Sequence, residues 1–124
     1  MKHIVLKRIY EAPEADDGFR VLVDRVWPRG MTKEKAHIDL RAKDVAPTSQ
    51  LRKWFGHEAA KWAMFQSKYS EELMHNLNAV KALLHEAKGR DVILLYGAKD
   101  EQHNQAIVLK DFITSHWKSL VENP

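Results

Sequence analysis

Asp17-Gly18-Phe19-Arg20-Val21-Leu22-Val23-Asp24-Arg25-Val26-Trp27-Pro28-Arg29-Gly30 is the stretch on which the reading of this chain turns. Val21-Leu22-Val23 is apolar without polar alternation, the pattern of a strand covered on both faces. It runs straight into a turn dense in charge. Gly and Pro suffice to bend a chain, so Asp24, Arg25 and Arg29 exceed what the turn itself demands. Ionic groups held at the end of a buried strand are what a binding or catalytic site requires.

Outward from this segment, Ile4 to Tyr10 forms a first strand candidate, rich in β-branched and aromatic residues. Glu11 to Gly18 is a turn, marked by Pro13 and Asp16-Asp17-Gly18, and Arg20 to Asp24 is the second strand. Trp27 to Asp44 is irregular, with one short helix near Lys33 to Ala36. Pro47-Thr48-Ser49-Gln50 opens a helix over Leu51-Arg52-Lys53-Trp54-Phe55, with small hydroxyls able to cap its free N–H groups and Gly56 closing it. A long helix is expected from Glu58 to Lys88. There Trp62, Phe65, Tyr69, Leu73, Leu77, Val80 and Leu84 recur at steps of three and four, and Gly89 is the stop. Val92-Ile93-Leu94-Leu95-Tyr96 is the third strand, Gly97-Ala98-Lys99-Asp100 a turn, and Glu101 to Lys118 the last helix.

Strands interleaved with helices indicate an α/β fold: one compact domain with a small, mainly parallel sheet of three strands or slightly more. Parallel neighbours need a connection of about a dozen residues or more. The segment between Asp24 and Val92 provides that; the segment between Tyr10 and Phe19 does not. Spacing alone leaves strands one and two either parallel or antiparallel.

At 124 residues, 44% hydrophobic and 30% charged, the composition is that of one globular domain. The absence of cysteine excludes disulfides, thiolate catalysis and Cys-based metal sites. It fits a reducing cytoplasm. A net charge of +3 favours anionic partners only weakly. No apolar run is long enough for a membrane span, and Lys7-Arg8 ends the first apolar run too early for a signal peptide.

The residues carrying these features resemble a known family. They are Lys7-Arg8-Ile9-Tyr10, Asp17-Gly18, Arg20, Val21 to Arg25 with Trp27-Pro28-Arg29-Gly30, Ala46-Pro47 with Leu51-Arg52 and Phe55, and Leu94-Leu95-Tyr96 with Ala98-Lys99-Asp100 and Asn104. Together they are similar to the YeaO-like branch of domain-of-unknown-function family 488, over nearly the whole chain. The resemblance implies a compact α/β domain with a mainly parallel sheet and says little of activity. Remoter branches carry a Cys-His pair early in the helix after the last strand. Asn104 and Gln105 stand in the corresponding places here, so a thiol mechanism is not available to this chain.

If the strands are parallel, their C-terminal ends gather Tyr10, Asp24, Arg25, Tyr96 and Lys99 on the edge where open α/β sheets bind ligands. Arg29 lies on the adjoining turn and Arg52 on a helix able to fold over it. One reading is an anion pocket. Arg25, Arg29 and Arg52 hold phosphate or carboxylate, Asp24 accepts a ligand hydroxyl or acts as general base, and Tyr96, Lys99 and Asn104 orient the substrate. The other is that Asp24 pairs with one arginine and ties turn to sheet. Three arginines beside one carboxylate exceed what pairing needs. Trp27 is either a stacking surface for a planar ring or a core plug.

Gly97 to Asn104 has the layout of a phosphate cradle but neither G-x-G-x-x-G nor G-x-x-x-x-G-K-[ST], and Asp100 is also a natural cap for the last helix. No metal and no other cofactor is expected: the seven histidines are scattered, and His57-Glu58 lacks a second His at zinc-hydrolase spacing. His57 is more readily a capping or solvent-facing residue than a general base. No serine sits in G-x-S-x-G. Three functions fit: an enzyme or binder acting on an anionic metabolite of the nucleotide or sugar-phosphate type, a nucleic-acid binder using the same arginines with Trp27, or a non-catalytic interaction module exposing part of the long helical stripe.

Overall fold

A strand with no polar residue must be buried on both faces and paired on both edges, and Val92-Ile93-Leu94-Leu95-Tyr96 meets that demand at the centre of the sheet. The computed structural model describes residues 3–14 and 18–122; Asp16 and Asp17 of the acidic turn lie outside them. Strands β1 (Ile4–Arg8), β2 (Phe19–Leu22), β3 (Leu40–Arg41) and β4 (Val92–Tyr96) form a sheet of order β1-β4-β2-β3. Every pairing is parallel. Ile4 to Arg8 stand opposite Val92 to Tyr96, and Phe19 to Leu22 opposite Val92 to Leu95.

The open question of strands one and two is thereby answered: they are parallel, and they are not neighbours, because β4 lies between them. A segment of ten residues reaches up to ~33 Å, which suffices to run back along a short strand and step over one strand position. Gly18 permits the close entry into β2. A Cβ there would stand 2.0 Å from the Asp91 carbonyl oxygen, which accepts the Phe19 N–H at 2.7 Å.

The absence of alternation in β2 and β4 reflects two apolar layers. Phe19, Val21, Val92, Leu94 and Tyr96 join the larger cluster. Leu22, Ile93 and Leu95 join a smaller one with Ile9, Ala36 and Ile38. Helix α1 (Lys33–Ala36) lies over the smaller layer, where the buried Arg20 donates from Nε to the Ala36 carbonyl at 2.9 Å. Helices α2 (Ser49–Phe55), α3 (Trp62–Met74), α4 (Leu77–Ala87) and α5 (Gln105–Ser115) contribute to the larger layer. Among the described residues no helix is long and apolar enough to cross a membrane.

Helix α2 is capped as its sequence indicates, with the Thr48 hydroxyl accepting from the Leu51 N–H and Gly56 left-handed at φ 53°. The long helix is not continuous. A 3₁₀ turn at Ala59–Lys61 precedes α3, and the chain breaks at His75-Asn76 before α4. Asn76 leaves the helical conformation and its side chain donates to the Asp44 carbonyl at 2.6 Å, the local competition that makes Asn a helix breaker. The stripe survives the break: Phe65, Tyr69, Leu73 and Val80 are buried in the core, and Trp62, Leu77 and Leu84 are partly buried against it. Lys88, left-handed at φ 51°, ends α4 one residue before Gly89.

The last helix also differs from expectation. It spans Gln105–Ser115 rather than Glu101 to Lys118, and Trp117 lies beyond it before a single π-turn. Strand β3 falls in a segment expected to be irregular; its two residues carry no periodic signal.

The fully buried Tyr69 donates its hydroxyl to the Val45 carbonyl, tying α3 to the segment that leads into α2. Tyr69→Phe deprives that carbonyl of its donor and should lower stability by about 1–3 kcal/mol, read from the urea midpoint at unchanged m. An unaltered midpoint would show that this bond adds nothing net.

Candidate functional site

Because all strands run the same way, the chain leaves β1, β2 and β4 at one edge of the sheet, and Tyr10, Asp24 and Gly97 follow there. A hollow of about 260 Å³ opens at this edge. It is lined by Asp24, Arg25, Trp27, Arg29, Arg52 and Asn104 among others. Six of the eight residues given a binding or catalytic role from the sequence therefore meet around one space, with Tyr10 beside them. The other two do not: Tyr96 is buried beneath, beside Asn104, and Lys99 is exposed outside the lining.

Asp24 is half-buried, and neutral donors hold it. Its Oδ2 accepts the Gly97 N–H at 2.9 Å, and its Oδ1 accepts from Gln105 Nε2. The carboxylate thus joins the end of β2 to the end of β4 and the start of α5. It does tie turn to sheet, but not by pairing with an arginine as one sequence reading held. Among the described residues it makes no ion pair. Burial raises its pKa from 3.8 to about 6, against the Gly97 and Gln105 hydrogen bonds and the electrostatic influence of Arg52 and His57, which favour the ionised form. Gly97 leaves room for this contact: a Cβ there would lie 2.8 Å from Asp24 Oδ2.

The arginines divide by role. Arg25 donates from Nε to the Pro47 carbonyl at 2.8 Å and from Nη2 to the Ala46 carbonyl at 3.4 Å, so its guanidinium fixes the chain entering α2. Arg29 and Arg52 are exposed at the rim. Arg29 contributes its backbone to the frame, its carbonyl accepting the Tyr10 hydroxyl at 2.8 Å. Trp27 is not the core plug its size suggests. It is 37% exposed, its indole N–H donates to the Met31 carbonyl at 2.6 Å, and the Arg41 guanidinium lies over its ring at 5.2 Å. Arg41 also donates to the Arg25 carbonyl at 3.0 Å, bracing the turn from β3.

Asn104, not Asp100, caps α5. Its Oδ1 accepts from the Ile107 N–H at 3.2 Å and its Nδ2 donates to the Asp100 carbonyl at 3.0 Å, which leaves the amide engaged with the turn. Asp100 closes a preceding turn through the N–H groups of Gln102 and His103 and pairs with His103 Nδ1 at 2.8 Å. These bonds and the pairing with His103 lower the Asp100 pKa.

The lining also includes residues to which sequence reasoning gave no role: Gln105, His103, Phe55 and Phe65, with Pro28 and Pro47. His57, exposed and left-handed at φ 59°, faces the hollow as well. Gln105 had one signal, its place where the resemblance implies a Cys-His pair in remoter branches. The phenylalanines read simply as helix core. Among the described residues no cluster of three His, Asp or Glu could hold a metal ion.

A family model described as "Inactive DUF488-N3 subclade" matches residues 3–123. The chain belongs to the DUF488 family. It is 40% identical over 113 residues to the uncharacterized protein YeaO of Escherichia coli strain K12, covering 91% of this chain and 98% of that protein. It is 44% identical over 86 residues to the uncharacterized proteins Rv3073c of Mycobacterium tuberculosis and Mb3100c of Mycobacterium bovis, covering 69% of this chain and 71% of each. No solved structure matches it.

In this DUF488 member the raised Asp24 pKa makes stability depend on pH. Between pH 3.8 and about 6 the folded chain keeps a proton that the unfolded chain has released. The resulting stabilisation is complete below that window and is lost as pH rises through it, at most about 3 kcal/mol. Asp24→Asn removes the titration while keeping the shape. It should match the wild type near the acid end of the window and exceed it by about 2–3 kcal/mol at mildly alkaline pH, in urea unfolding at several pH values. A variant destabilised at alkaline pH would show that the ionised carboxylate is worth more than its burial costs.

Proposed function

We propose that this chain binds a small anionic metabolite in the hollow at the sheet edge and does not turn it over. The observation that carries this reading is the division of charge there: a half-buried acceptor, Asp24, inside, and two guanidinium groups not spent on pairing among the described residues, Arg29 and Arg52, at the rim. Arginines in such positions suit planar, bidentate contacts with phosphate or carboxylate. Arg25 serves as a positioning residue through Pro47. Asn104 shapes the wall, and Tyr96 and Lys99 have no direct contact in this scheme.

Acid/base catalysis by Asp24 has weaker support. Both of its oxygens already accept protein N–H groups, and the subclade that the chain matches is described as inactive. A second reading, single-stranded nucleic acid stacked on the turn, draws on the exposed Trp27 with Arg41 beside it.

Thermal shift with phosphate-bearing metabolites should show stabilisation by about 2–3 kcal/mol at a hundredfold excess over Kd. Arg29→Ala and Arg52→Ala should each reduce it while leaving the unliganded Tm nearly unchanged, as for exposed residues. No ligand-dependent shift, with variants identical to wild type, removes the metabolite reading. Affinity for single-stranded DNA or RNA that falls steeply with salt would replace it.

A further inference from the structure

The walls of the hollow are more demanding than an anion alone requires. Trp27, exposed, gives it aromatic surface, and the buried Phe55, Phe65, Pro28 and Pro47 add apolar lining. A sugar phosphate would leave that surface unused and desolvate its hydroxyls against it, at a cost. A ligand with a planar ring body stacks there instead. The volume of about 260 Å³ lies just under the range typical of drug-sized ligands, which suits one ring system with a phosphate rather than a dinucleotide.

Asp24 selects among rings. A carboxylate offers about four lone-pair sites. Here the Gly97 N–H and the Gln105 amide take one on each oxygen and fix the orientation of the group. Each oxygen retains a lone-pair site, and Asp24 lines the hollow, so the carboxylate has capacity for two further donors. The complement of that capacity is an edge with two adjacent N–H donors. Guanine has such an edge in its ring N–H and amino group. Adenine offers one donor next to one acceptor, and the acceptor would face a carboxylate oxygen.

We propose that the hollow is a guanine mononucleotide site, in which Asp24 takes the two base donors, Trp27 takes the ring, and Arg29 with Arg52 take the phosphate. This inference rests on the anion-pocket reading and adds to it a specificity for the base. Gln105 is a positioning residue in it and Asp24 the specificity determinant.

Calorimetric titration of the wild-type chain with GMP, IMP, AMP and ribose phosphate at mildly alkaline pH separates the two levels. GMP should bind about tenfold or more tighter than AMP, the discrimination of one bidentate base contact. IMP, which keeps the ring N–H and lacks the amino group, should fall between them, and ribose phosphate should bind more weakly than GMP. Asp24→Asn replaces one acceptor with a donor and should bring GMP down to the level of AMP. Equal affinity for all four ligands would overturn base recognition and leave the anion pocket standing. AMP tighter than GMP would overturn it as well. No binding by any of them would overturn both. The wild-type series decides the matter even if the variant does not fold.

Discussion

The constraint on which the rest of the structure depends is the position of β4. Its five apolar residues tolerate neither an open edge nor a wet face. Inserted between β1 and β2, the strand is paired along both sides and covered by both apolar layers. The insertion separates the first two strands and delivers the segment after Tyr96 into the gap between their C-terminal ends. Open α/β sheets offer crevices of this kind where the strand order changes direction. The hollow is thus a consequence of where the last strand had to go.

Asp24 is the joint that this topology makes possible. Three segments remote in sequence end within reach of one carboxylate: the turn after β2, the backbone of Gly97 and the first residue of α5. Burial works against the charge, and two hydrogen bonds, together with the nearby Arg52 and His57, work for it. Burial prevails and the pKa rises. Had an arginine closed on Asp24, the group would be a salt bridge with its charge neutralised, and little of it would face the hollow. Neutral donors hold it in place and leave capacity on both oxygens. The guanidinium nearest in sequence, Arg25, is turned to two carbonyls instead.

Much of the fold was legible because periodicity and punctuation are local. Val21-Leu22-Val23 and Val92 to Tyr96 declared doubly covered strands, and Thr48 and Gly56 declared the ends of α2. Where the reading failed, a tertiary contact had overridden a local signal. The stripe from Trp62 to Leu84 runs unbroken across His75-Asn76, since neither Gly nor Pro marks the break; the bond from Asn76 to the Asp44 carbonyl does. Asp100 looked like the cap of α5, and it closes the turn before it while Asn104 takes the cap. Trp27 looked like core by size, yet its indole N–H is needed by the Met31 carbonyl at the surface. The charged half of the site was visible in Asp24, Arg29 and Arg52. The place of Phe55 and Phe65 in the lining was not, because both are buried and obey the helix pattern.

Chemistry and recognition ask different things of such a carboxylate. A general base must rotate or approach to follow the proton it removes. Asp24 is bonded through each oxygen to a different element, and the Gly97 contact is close enough that even a methyl group would displace it. A group so held is better suited to presenting acceptors at a set spacing than to following a reacting atom. Fixed acceptors discriminate sharply between ligands, since a mismatched edge leaves a buried polar group without a partner. Gln105 completes this logic. Its amide donates to Asp24 and it brings no nucleophile or titratable proton, so what the start of α5 contributes here is the orientation of the carboxylate.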